Sequence, residues 1–406
     1  MPCSVVALAA LAARPALADA PAAAPKPEAR RVELGLIPLV GGDTDVGVGF
    51  GVLSTIAGVA PGVKPYRWAL ESAGFISFKR SNGSFILPYQ DYSVQWTAPR
   101  LWNQRLRLEV RPSFTKETTQ RFYGLGNQSL APATDVLARD DYGRVHPTLW
   151  ARLQVRVWDH LHVGFGSGFT RNWLTIGPAS TLGEQMAFGT PEVRQILDGP
   201  ARHSVGLLEG IVMWDSRDSE TVPESGQVHE IRARLSPRIA AADMPYAYQQ
   251  VDLSSRIYYT MVPSRLVLAV RAVADMQFDH PPFYELARYD DTFALGGLNG
   301  VRGVPGQRYY GKIKIFGNFE VRSQIVGFTL WKKQMTLGAA VFYDAGRAWT
   351  DWASHPELDG TGWGIKYGVG GGLRLQQGKT FVVRADLAWS PDARPVGGYV
   401  GAGQTF

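Results

Sequence analysis

Residues 290–322 read DDTFALGGLNGVRGVPGQRYYGKIKIFGNFEVR, and the two halves of this stretch obey different rules. The first half is a glycine-rich connection centred on Val301-Arg302-Gly303. The second half alternates: Lys312, Lys314, Asn318, Glu320 and Arg322 fall on one face of an extended chain, and Ile313, Ile315, Phe319 and Val321 on the other. A two-residue period is the mark of a strand with one polar and one apolar face. Phe316 alone breaks the pattern, standing among the charges. A single arginine among glycines, beside such a strand, suggests a loop that folds back onto charged partners.

The same alternation recurs on both sides of this stretch. Leu106, Leu108 and Val110 alternate with Arg105, Arg107, Glu109 and Arg111; Leu153, Val155 and Val157 alternate with Arg152, Gln154 and Arg156. Ile231, Ala233 and Leu235 interleave with Glu230, Arg232 and Arg234, and Phe381, Val383, Leu387 and Trp389 with Thr380, Arg384, Asp386 and Ser390. No domain boundary interrupts the pattern from Val32 to Phe406. Strands are expected to begin near 32, 45, 66, 84, 104, 145, 160, 203, 226, 249, 264, 311, 334, 363, 379 and 397, an even set of sixteen. Composition agrees: the 406 residues include 45 glycines, 12 tryptophans and 16 tyrosines, while only 19% are charged. Such an excess of glycine and aromatics suits a large antiparallel β structure.

Alternation by itself fits a soluble sandwich as well as a barrel. Three features favour the barrel. Large aromatics (Trp96, Trp331, Trp349, Trp389, Tyr399) stand near strand ends on the apolar face, as an interfacial girdle would. The strands are long for a sandwich. Short connections (262–264, 376–378) alternate with long ones (124–142, 176–202, 279–310). No apolar run outside the N-terminus approaches the ~20 residues of a membrane helix, so a bilayer would be crossed by a closed barrel. The N-terminal apolar run 4–13 followed by Ala16-Leu17-Ala18 reads as a signal peptide over 1–18. An Ala/Pro-rich, disordered linker follows over 19–31, and then the barrel over 32–406.

In that architecture the charged face lines a lumen, and Arg271, Lys312, Lys314, Arg374 and Arg384 make it basic, in keeping with a net charge of +6. A basic interior attracts anionic solutes or acidic polypeptide segments; the plainer role of these arginines is to fill the lumen with hydrogen bonds. No metal site is expected, because His160 and His162 share a strand face without a third ligand. Gly378-Lys379-Thr380 lacks the upstream glycine of a phosphate loop, since that position is Leu373. Gly368, Gly370, Gly371 and Gly372 lie within a strand, where glycine admits a close backbone neighbour. Nothing argues for catalysis, a cofactor or nucleic-acid binding.

Four segments, in order, carry a family resemblance. Phe122-Tyr123-Gly124-Leu125-Gly126-Asn127 is a glycine-punctuated strand exit. Asp215-Ser216-Arg217-Asp218 with Pro223 and Gly226 is a charged hairpin. Gly297 to Gly303 ends in Val-Arg-Gly. The chain closes on Gly371-Gly372-Leu373-Arg374, Arg384-Ala385-Asp386 and Gly403-Gln404-Thr405-Phe406. Together these resemble the BamA/TamA superfamily, or bacterial surface antigen family, of outer-membrane assembly and translocation barrels.

The resemblance implies a sixteen-stranded antiparallel transmembrane β-barrel of the bacterial outer membrane, with the 279–310 loop folded into its lumen. Arg302 would then pair with Glu320 and Asp344, both inward-facing by alternation, and an enclosed arginine does need carboxylate partners. It further implies a lateral seam between a first strand over 32–41 and a last strand over 397–406. Gly398, Gly401 and Gly403 thin that last strand, and Phe406 ends it. Two departures stand out: the 19–31 lead-in is too short for a polypeptide-transport-associated domain, and Val304 replaces the aromatic residue usual after Arg-Gly. The expected function is insertion, assembly or translocation of polypeptide, with outer-membrane lipid (lipopolysaccharide and phospholipid), a client polypeptide or a periplasmic protein as partner. A passive pore for small anions and a surface-exposed adhesive protein are the alternatives.

Overall fold

The computed structural model describes residues 5–7, 31–43, 47–59, 67–81, 84–101, 105–129, 142–219, 222–263, 265–289, 292–330, 333–377, 381–392 and 396–406. Sixteen long strands follow one another: β1 Arg31–Asp43, β2 Gly47–Val59, β3 Trp68–Ser81, β4 Tyr89–Arg100, β5 Leu106–Gln120, β6 Tyr142–Arg156, β7 Leu161–Ile176 and β8 Arg202–Asp215. After these come β9 Gly226–Ser236, β10 Tyr248–Val262, β11 Leu266–Asp279, β12 Ile313–Leu330, β13 Lys333–Trp349, β14 Lys366–Gln377, β15 Phe381–Trp389 and β16 Gly397–Ala402. Each pairs antiparallel with the next, giving one continuous sheet in chain order. The expected start near 84 falls on a short strand, Ser84–Ile86, that pairs with Lys79–Ser81 of β3, and the long strand β4 begins at Tyr89. With two short additional strands, Val5–Ala7 and Ser84–Ile86, at its margins, the sixteen long strands make the antiparallel barrel that the family resemblance implied.

Alternation sorts the two faces. Ile315, Phe319, Val341, Leu373 and Leu387 are exposed on the outer face, as the apolar band of a membrane barrel is, while Lys314, Asn318, Glu320, Asp344 and Arg384 are buried on the inner one. Phe316, the exception in the sequence pattern, keeps its phase and points inward. There it packs with Leu295, Val301, Val304 and Tyr309 of the 280–312 loop, and its ring meets that of Tyr289 edge-on at 6.0 Å. An aromatic on the charged face marks the wall against which the loop lies.

One end of the barrel carries long connections (121–141, 177–201, 280–312, 350–365) and the other short ones (157–160, 263–265, 331–332). The long connections form a roof. Helix α1 (Thr181–Phe188) starts where the Ser180 hydroxyl accepts the Gly183 N–H at 3.1 Å. Helix α2 (Pro191–Leu197) starts with proline in its first turn, behind Thr190. Leu182, Val193 and Leu197 from these helices pack on Phe122, Phe283 and Tyr310 in one buried cluster.

Two expectations change at the end of the chain. The last strand stops at Ala402 rather than running to Phe406: Gly403 has φ +78°, a left-handed geometry, and residues 403–406 leave the sheet. Tyr399, expected in the outer girdle, lies opposite the buried Asp386 in the β15–β16 ladder. Directly opposed residues share a face, so Tyr399 is inward. Within the expected export segment, Val5–Ala7 form a short strand paired with Leu39–Gly41 of β1. The rest of 1–18, and 19–30, lie outside the described residues, as does Trp331. Among the described residues no ladder joins β1 to β16, although the two strands come close.

Candidate functional site: the loop arginine and its receptor

The 280–312 loop carries Arg302 into the barrel, where the side chain is 0% exposed. A strand glycine makes room for it. A Cβ placed on Gly368 would lie 1.8 Å from the carbonyl oxygen of Arg302, so any side chain there would displace the loop. This is the close backbone approach that glycines within β14 suggested.

The receptor for the guanidinium is assembled from three strands and the C-terminal tail. Nε of Arg302 donates to Oδ2 of Asp344 at 2.7 Å and Nη2 to Oδ1 at 3.0 Å, a bidentate fork; the backbone N–H of Arg302 adds a third bond to Oδ2 at 3.1 Å. Nη1 donates to Oδ2 of Asp386 and to the Thr405 hydroxyl, both at 3.2 Å. Glu320 stands farther off, 3.7 Å from Nη1, a Coulombic neighbour rather than a hydrogen-bond partner. The guanidinium carbon lies 3.3 Å over the centroid of the Phe342 ring. Burial alone would make the charged form harder to hold. The Asp344 hydrogen bonds and charge, with Glu320 and Asp386, outweigh that and raise the pKa of Arg302 above its ordinary value.

Glu320 serves other arginines more directly. Nη2 of Arg374 donates to its Oε1 at 2.7 Å, and Arg322 lies 3.6 Å from its Oε2. Arg374 also bonds Asp386, and Arg384 bonds the Thr405 hydroxyl. The result is a closed lattice: Arg302, Arg322, Arg374 and Arg384 around Asp344, Glu320 and Asp386, with Thr405 as a neutral bridge. Charges removed from water persist only when paired with opposite charge in this way. Inward side chains of β11, β12 and β15 hold the loop as well. Arg271 donates to the Asn299 carbonyl, Arg384 to Oδ1 of Asn299 at 2.8 Å, and Asn318 to the Gly300 carbonyl at 2.8 Å.

The structure thus brings Val301, Arg302, Gly303, Asp344 and Glu320 together, with Glu320 the weaker partner. Periodicity also places Asp386 and Arg374 on the inner face, and Asp386 stands in a quoted motif, but nothing in the sequence ranks it above Glu320. Thr405 carries no signal at all. Of the residues expected along the seam, Gly401 turns inward against Leu298 of the loop and Gly398 faces Leu387. Phe406 also lies inside: its ring stacks on Tyr258 at 6.4 Å, and Arg322 donates to its main-chain oxygen at 3.2 Å.

The two remaining motifs brace this arrangement from opposite ends. At the roof, the Phe122–Asn127 segment clasps the returning limb of the loop. The Gly126 N–H donates to the Tyr310 carbonyl at 2.7 Å, the Tyr310 hydroxyl to the Arg121 carbonyl at 2.8 Å, and the Phe122 and Tyr310 rings meet at 4.8 Å. Asn127 reaches the 350–365 connection through the Gly364 carbonyl. At the other end, Arg217 chelates Asp215 with bonds of 3.0 and 2.7 Å, and Oδ1 of Asp218 accepts the Glu224 and Ser225 N–H groups. The Glu224 carboxylate then accepts from Gln324 at 3.0 Å, pinning the turn beneath the loop site.

The wall facing the loop, β4 to β9, leaves a cavity of about 300 Å³ lined by Arg111, Glu117, Arg144, Trp150, Arg152 and Arg288 among others. Its roof is made of two ion pairs, the buried Arg288 with Glu117 at 3.1 Å and Arg144 with the partly exposed Glu285 at 3.6 Å. The lining mixes both charges with Ser113, Thr115, Thr148 and Thr170 hydroxyls.

Comparison with known proteins places this geometry. The Omp85 superfamily domain matches residues 82–406. Among solved structures, the chain is similar to BamA from Haemophilus ducreyi lacking POTRA domains 1–3, at 14% identity and a TM-score of 0.59, covering 93% of this chain and 70% of that one. It is also similar to CdiB from Escherichia coli, at 12% identity and a TM-score of 0.58, covering 94% of this chain and 62% of that one. No curated protein sequence matches the chain.

Proposed function

The chain belongs to the Omp85 superfamily of bacterial outer-membrane barrels, and from that premise we propose that it inserts or translocates polypeptide through a seam in its own wall. The observation that carries the reading is the state of the last strand. β16 is six residues long and is paired only to β15 among the described residues, whereas every other long strand from β2 to β15 is paired on both sides. The edge of a sheet accepts an extended segment of another chain by main-chain hydrogen bonding. The partners in this reading are a client polypeptide, the surrounding lipopolysaccharide and phospholipid, and a periplasmic protein that delivers the client. The loop anchored by Arg302 keeps the inner side of the seam in register.

The test is a disulfide engineered between β1 and β16 in a chain whose cysteine at position 3 has been replaced. The oxidised form should lose insertion or secretion of client in reconstituted vesicles and recover it on reduction. Unchanged activity with the seam fully cross-linked would overturn the reading.

The anion-pore alternative draws on the cavity and the basic wall. Its difficulty is the roof: Glu117, Arg144 and Arg288 are buried and paired, so a steady aqueous path needs those pairs broken.

A further inference from the structure

We infer that Tyr399 and Thr405 are positioning residues that latch the last strand to the loop arginine, so that seam and loop release as one unit. The inference rests on the seam reading above and adds what governs the opening.

β16 has two attachments. The first is its ladder to β15, from Val383↔Ala402 to Ala388↔Gly397, extended by the Gly403 N–H to the Val382 carbonyl at 2.8 Å. The second is to the 298–303 segment of the loop. The Gly303 N–H donates to the Tyr399 hydroxyl at 2.8 Å, and Nη1 of Arg302 donates to the Thr405 hydroxyl at 3.2 Å. Between them, Gly401 lies against Leu298, where a Cβ would come within 3.0 Å of a Leu298 methyl. One neutral hydroxyl thus touches each of two consecutive loop residues. Both hydroxyls belong to the only long strand, with its tail, that has a single ladder among the described residues.

The geometry makes the two motions interdependent. Shifting β16 away from the barrel by one strand spacing, ~4.8 Å, breaks both hydroxyl bonds and opens the side of the Arg302 receptor formed by Thr405. Withdrawing Arg302 leaves Thr405 bonded to Arg384 of β15 and breaks the Gly303 N–H bond to the Tyr399 hydroxyl. Such coupling is reciprocal: whatever loosens the loop loosens the strand by the same factor. Neither hydroxyl fills the core, so removing one tests the link without emptying space.

The experiment uses the full chain, with the cysteine at position 3 replaced by serine, in phosphatidylethanolamine/phosphatidylglycerol vesicles. Spin labels at the outward-facing Leu36 of β1 and Val400 of β16 report the width of the seam by pulsed electron resonance. Tyr399→Phe and Thr405→Val should each raise the wide-seam population on the order of fivefold. Thr405→Ser should restore the unmutated population, and Thr405→Val should add little once Arg302→Ala is present. Each variant should still show the heat-modifiable electrophoretic shift of a folded barrel, which separates a latch from a folding defect. A seam that opens in the unmutated chain to the same extent in Tyr399→Phe and Thr405→Val overturns the latch alone. A single narrow distance in every variant, together with activity that survives the oxidised β1–β16 disulfide, overturns the seam reading and the latch with it.

Discussion

Asp344 holds Arg302 with both carboxylate oxygens, at 2.7 and 3.0 Å, across 42 residues of sequence. No second cation lies within salt-bridge distance of Asp344 among the described residues, whereas Glu320 and Asp386 each have others. The pair is therefore exclusive in one direction. Asp344 depends on the loop, and the loop's charge is shared more widely.

Arg302→Ala should therefore strand a buried carboxylate and cost about 3–5 kcal/mol of stability, followed as urea unfolding by tryptophan fluorescence in detergent. Arg302→Lys should recover only part of the loss, because an ammonium cannot form the fork to Asp344 while also reaching Asp386 and Thr405. Adding Asp344→Ala to Arg302→Ala should cost less than the sum of the single changes. Strict additivity would mean that the two side chains do not interact in the folded barrel.

Gly368→Ala should expel the loop, because its methyl would overlap the Arg302 carbonyl. Limited trypsin digestion should then cut after Arg302 or Arg308, both buried in the unmutated chain. Gly327→Ala on β12, where the nearest atom to a new Cβ is 3.9 Å away, is the matched control and should remain resistant.

The roof makes a separate prediction. Leu182 of α1 is fully buried in the cluster that seals the long-connection end, so Leu182→Asp places an unpaired charge there. Planar-bilayer recordings of this variant should show steady currents well above those of the unmutated protein. Equal conductance in the two would mean that the roof is not the barrier.

Gly403 turns the tail inward at φ +78°, and Gly403→Ala should cost about 1–2 kcal/mol in that conformation. There is room for the methyl, since no atom lies within 4 Å, so the penalty is one of backbone alone. Carboxypeptidase should release Phe406 faster from this variant. An unchanged rate would mean that the tail holds its place without the left-handed turn.

Much of this protein is legible along the chain. A two-residue hydrophobic period dictates a strand and the face each side chain takes, because successive side chains in an extended backbone point to opposite sides. That rule sets sixteen strands with one apolar and one charged face, and once the fold is a membrane barrel it locates Glu320, Asp344, Arg374 and Asp386 on the inner wall. The composition of the 290–311 stretch makes it a loop, and an arginine enclosed by a barrel must find acids.

Which acids it finds is another matter, decided only in three dimensions. Alternation fixes a face but not a height, and height is set by the register of each ladder and by where the loop can approach. Gly368 admits the Arg302 backbone beside Asp344, which makes that carboxylate the principal partner and leaves Glu320 at 3.7 Å to serve Arg374. Tyr399 belongs to the inner face because its ladder partner is Asp386, a fact about pairing that no local pattern contains. Thr405 joins the site only because Gly403 turns the tail away from the sheet. The period of the chain determined which side most residues face; strand pairing and contact across the barrel determined the exceptions and which residues meet.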